Sequence, residues 1–84
     1  MKVDAKLYET MRKAVQSVFL ELKEGKIAEL KKSRPEVTDR RIRWDLWFVA
    51  YFRLRRDAGL NVYKLGLNDS HIDTALRKIT KGWW

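Results

Sequence analysis

From residue 7 onward, apolar side chains return at helical spacing: Leu7, Met11, Ala14, Val15, Val18 and Leu22. At 100° per residue they fall within about 100° of arc, and Lys6, Glu9, Lys13, Gln16 and Lys23 line the opposite face. Asp4 supplies an acceptor for the free N–H groups of a first turn, so the pattern predicts a helix over 4–24. Gly25 interrupts it. Ile27 and Leu30 lie off the earlier stripe, which predicts a break at the glycine and a short helical piece over 26–32. "SRPEVTD" then reads as a connector, because Pro35 disfavours helix at Arg34. Thr38 is the next cap, with Arg41 where a capping box would carry Glu.

The pattern changes in "RRIRWDLWFVAYFRLRR", residues 40–56. As a helix, its apolar residues cover an arc of roughly 240°, with Asp45, Arg53 and Arg56 in the remainder beside Ile42 and Val49. As a strand, Ile42 to Leu54 alternate strictly with Arg43 to Arg55. Length favours the helix. Thirteen residues are about twice an ordinary strand, whereas the span from Thr38 to the "DAG" stop is an ordinary helix closed by Gly59. The expectation is a helix over 39–58. It should form the spine of the core, with the Trp44, Trp47, Phe48, Tyr51 and Phe52 cluster packed inside. After "LNVYKLGLN", Asn68 or Asp69 caps a last helix over 69–81, with Ile72, Ala75, Leu76 and Ile79 on one face. "KGWW" is expected to fold back over the core, or else to present Trp83 and Trp84 as anchors for a partner or a second copy. The predicted fold is all-α: a single small helical domain over 1–84, a bundle of three main helices plus a short helical segment.

Composition narrows the function. There is no cysteine, which excludes disulfides and thiolate metal sites. The seven-residue apolar run Leu46–Phe52 is far short of a bilayer span, and nothing in "MKVDAKLYET" marks secretion. The polar face around the run is too narrow for a membrane-surface helix. The expectation is a protein of the cytoplasm with no membrane contact. Catalysis has little to stand on. His71 is the only histidine, and no ligand shares its face at three or four residues. "ELK" occurs twice, at Glu21–Lys23 and Glu29–Lys31, but such tripeptides are common by chance. No glycine-rich phosphate loop is present. Neither an enzyme nor a cofactor is expected.

The formal net charge is +8, and residues 23–43 hold eight Lys/Arg against four Asp/Glu. This favours an acidic partner. The leading expectation is a nucleic-acid-binding or regulatory protein that contacts phosphates through Lys26, Lys31, Lys32, Arg34, Arg40, Arg41 and Arg43, with DNA ahead of RNA. The alternative is a non-enzymatic interaction module for an acidic host protein, using exposed aromatics and the basic surface, with a homodimer also allowed.

Two resemblances add context. "LNVYKLGLNDSHIDTALRKI" resembles the helix-turn-helix spacing of bacterial repressors, with Gly66 in the turn and Leu67, Ile72, Ala75 and Leu76 as packing positions. The resemblance implies that Asp69, Ser70, His71, Asp73, Thr74 and Arg77 lie on the exposed side of a recognition helix; Ser70, Thr74 and Arg77 are the contacts it adds to the phosphate-binding set. "RIRWDLWFVA…NDSHIDTALRKI" resembles small uncharacterised phage and prophage proteins with an R-W-D segment followed by N-D-x-H-I-D-T-A-L-R. That resemblance implies a mobile-element protein acting in a bacterial cell, and implies no activity.

Overall fold

In the computed structural model, which describes residues 4–22 and 25–84, the chain folds into four helices: α1 (Ala5–Glu21), α2 (Lys26–Ser33), α3 (Asp39–Ala58) and α4 (Asp69–Ile79). No strand occurs among the described residues, so the helical reading of 39–58 prevails over the alternating one. The end of the first predicted helix at residue 24, and Lys23 of the basic segment, lie outside the described residues.

The local signals act as expected. Asp4 Oδ1 accepts from the N–H groups of Lys6 and Leu7 at 2.9 and 3.2 Å. Thr38 Oγ1 accepts from Arg41 N–H at 3.2 Å, and Asn68 Oδ1 from His71 N–H at 3.0 Å. Each satisfies a donor that the first helical turn leaves open. Gly59 closes α3 in the left-handed region at φ 64°, which lets Leu60 N–H return to the Leu54 carbonyl at 3.1 Å. α4 stops at Ile79 rather than residue 81. Thr80 is buried there, its hydroxyl donating to the Leu76 carbonyl at 2.8 Å.

α1, α3 and α4 pack on one another around Met11, Val15, Leu46, Trp47, Ala50, Ile72 and Leu76. α2 stands off and joins this core only through side chains, Ile27 fully and Leu30 in part. Residues 61–67 are tied down by Val62 and Leu67, both buried.

Two expectations for α3 are corrected. Ile42, projected onto the polar remainder, is buried. Phe48 and Phe52, expected inside, are 61% and 50% exposed, and Val49 is 41% exposed. The core uses the side of α3 that carries Ile42, Leu46, Ala50 and Trp47. Two neighbouring helices cannot cover a 240° apolar arc, so part of it is left facing out.

The segment before α4 also departs from the repressor-like pattern. Asn61 Oδ1 accepts from Tyr63 N–H at 3.1 Å, and Lys64, Leu65 and Gly66 bond back to Asn61, Val62 and Tyr63, three residues each. These are overlapping turns, ended by Gly66 at φ 98°, and no helix forms there. Four residues between Asn61 and Gly66 are too few to offset helix nucleation. The first helix of a helix-turn-helix pair is therefore absent, although Leu67 and Ile72 are buried as that pattern requires.

Candidate interaction surface on the central helix

The outward side of α3 carries the least expected chemistry. At 100° per residue, Arg55, Phe48, Arg41, Phe52, Asp45, Arg56 and Val49 fall within about 120° of arc. All seven are exposed. Along the axis the stripe is charged, then apolar, then charged. Arg41 and Asp45 precede Phe48, Val49 and Phe52, and Arg55 and Arg56 follow. Phe48 and Phe52 meet edge to face with ring centroids 4.8 Å apart. Tyr51 continues the aromatic surface, 5.9 Å from Phe52 and 5.2 Å from Tyr63. The Tyr51 hydroxyl donates to Asn61 Oδ1 at 3.4 Å, and the Arg55 guanidinium lies 5.7 Å from the Tyr51 ring centroid. Burial lifts the Tyr63 phenol above its ordinary pKa, while the nearby Trp47 indole opposes that shift.

The cations named from the sequence do not form one face. Arg40, Arg41 and Arg43 leave the first turns of α3 in three directions, and acids meet half of the named cations: Lys31, Arg40, Arg41 and Arg77. Lys31 pairs with Asp39, tying α2 to α3. Together with the Trp84 indole, its ammonium holds the Asp39 carboxyl below the usual carboxylate range. Arg41 Nε donates to Asp45 at 3.2 Å. Arg77 Nη2 donates to Asp73 Oδ2 at 2.9 Å, and Arg40 Nε lies 3.8 Å from Oδ1 of the same carboxylate. Arg43 is half-buried with no hydrogen-bond partner for its Nε among the described residues. Lys26, Lys32 and Arg34 are exposed, with no ion pair among the described residues. Ser70 and Thr74 are exposed on α4, and the Thr74 hydroxyl donates to the Ser70 carbonyl at 3.1 Å. Asp73 is turned inward instead of toward a groove, its side chain 13% exposed.

The C-terminal tail turns back on α1 through Trp83, as one of its two readings expected, while Trp84 is exposed. Trp83 is half-buried, its ring 4.6 Å from Phe19, and Trp84 follows at 6.2 Å. The two indoles, Phe19, Leu20 and Ile27 line a groove of about 540 Å³. Among the described residues, no group of three or more His, Asp or Glu side chains is placed to hold a metal ion. Among the described residues, no helix is long and apolar enough to cross a membrane.

Sequence reasoning missed Phe48 and Phe52 as surface, whereas Val49, projected onto the polar side, is exposed there. A usable signal was present, since an apolar arc wider than two packing partners can cover must leave a remainder outside.

The fold and surface define a small all-α bundle with an apolar stripe on its central helix. Comparisons with protein-family models, with curated proteins and with solved structures return no match for this chain.

Proposed function

We propose that the chain is a non-enzymatic protein-interaction module whose binding element is the outward side of α3. The observation that carries this is the joint exposure of Phe48, Val49 and Phe52 in the middle of a charged stripe. A contiguous apolar patch with a polar rim is the usual anatomy of a protein-binding surface. Aromatic anchors at its centre contribute most of the affinity, and the charges at its ends set register. A helix laid along this stripe would bury the two phenylalanines without disturbing the core. The resemblance of "RIRWDLWFVA…NDSHIDTALRKI" to phage and prophage proteins supports a module that acts in the cytoplasm of a bacterial host.

A photo-crosslinking residue at position 48, compared with one at Lys32, tests the reading. Protein crosslinks from position 48 and few from position 32 are expected. Crosslinks to nucleic acid, or none from position 48, would sink it.

The phosphate-binding reading keeps one supporting observation: Lys26, Lys32 and Arg34 are exposed and without ion pairs among the described residues. Binding to duplex DNA at two salt concentrations separates the readings. Three phosphate contacts would give a log–log slope of about −2.7.

A further inference from the structure

We infer that the partner of the α3 stripe is a second copy of this chain, packed antiparallel across a two-fold axis near residue 50. The inference rests on the interaction-module reading and names its partner. The charge order along the stripe carries it. Asp45 lies one turn before the aromatic centre, and Arg56 lies three turns further along on nearly the same line of the helix. A two-fold axis midway between them brings Asp45 of each copy against Arg55 and Arg56 of the other. It also sets Phe48 beside Phe52 of the other copy. The same patch thus serves both chains, as an isologous interface requires. Parallel pairing would instead place Asp45 on Asp45 and arginine on arginine. A uniformly acidic helix would match the arginine end but set a carboxylate against Asp45, whose side chain is 63% exposed. Arg55 has no carboxylate partner among the described residues and rests on the Tyr51 ring, whereas Asp45 and Arg56 exchange or share their exposed pairings with Arg41 and Asp57 for the contact across the axis.

Sedimentation equilibrium of the wild-type chain tests this. At about 150 mM salt, the apparent mass should rise from the monomer's 10.1 kDa toward twice that value. The rise should fall between about 10 and 500 μM, since three apolar side chains per copy make a small, weak interface. Two exposed charge reversals sharpen the test. Asp45→Lys alone, and Arg55→Glu with Arg56→Glu alone, should each weaken the dimer by at least about tenfold. Mixed at equal concentration, they should dimerise as well as wild type, because both end contacts are again opposite in sign. Circular dichroism confirms that each variant is folded. A wild-type chain that stays at 10.1 kDa throughout overturns the inference, as does a mixture that fails to recover. If the chain is monomeric yet position 48 crosslinks to another protein, such as an acidic helix, self-pairing fails and the module reading stands. If position 48 crosslinks to nothing, both fail.

Discussion

The Trp44 indole donates to Asp73 Oδ1 at 3.1 Å, a contact between α3 and α4 across 29 residues of chain. Arg77, on α4 itself, donates to the other oxygen and orients the carboxylate, so the bond from Trp44 constrains the rotation of α4 against the central helix. Trp44→Phe keeps the ring and removes the donor. It should cost about 1 kcal/mol, and Asp73→Ala about 2 kcal/mol, because a mostly buried acceptor loses charge-assisted bonds. A double-mutant cycle read by urea unfolding should show coupling of about 1 kcal/mol. Strict additivity would mean that the contact does not hold the two helices.

Core and stripe should respond oppositely to truncation. Ile72 is fully buried, and Ile72→Ala should cost about 3 kcal/mol of stability. Phe52→Ala removes a half-exposed ring and should cost less than about 1 kcal/mol, while abolishing association through α3. Thermal unfolding and sedimentation on the same samples separate the two effects.

Gly59 tests the end of α3. A Cβ there would meet no atom within 4 Å, so any cost is backbone alone. Gly59→Ala should destabilise by about 1 kcal/mol, and Gly59→Asn by less, since asparagine tolerates the left-handed region better. Equal losses would point to the side chain instead of φ.

Acid should weaken the fold modestly in a defined window. Hydrogen bonds from Arg12, Arg53 and Arg56 hold Glu9, Glu21 and Asp57 below the usual carboxylate range, and Lys31 does the same for Asp39. A carboxyl with a depressed folded-state pKa contributes stability that is present above its unfolded value and lost as pH falls through the folded one. Stability set by these groups should therefore be flat above about pH 5 and fall below about pH 4. Urea midpoints across that range check the sign.

Salt separates the two kinds of association. Two copies each carrying +8 repel, and screening shortens the reach of that repulsion from about 30 Å at 0.01 M salt to about 8 Å at 0.15 M. Self-association should tighten over that interval, whereas binding to phosphates should weaken. Sedimentation and DNA titration at the same two salt concentrations read both trends.

Most of the architecture was legible along the chain because its signals are local. Asp4, Thr38, Asn68, Gly25 and Gly59 mark helix ends through bonds to residues a few positions away, and α1 and α4 each carry one narrow apolar stripe that can face only inward. These features determined an all-α chain with breaks near residues 25, 38 and 60. What α3 does with its wide apolar arc was not local. Tertiary packing brought α1 and α4 against the Leu46 and Ala50 side, drew Ile42 inside and left Phe48, Val49 and Phe52 in solvent. The arginines show the same division. Their number and charge are written in the sequence. Only the fold set Arg40 beside Asp73 of α4, and Lys31 of α2 against Asp39, because a charge is neutralised by whatever acid lies within a few ångströms, whichever element carries it.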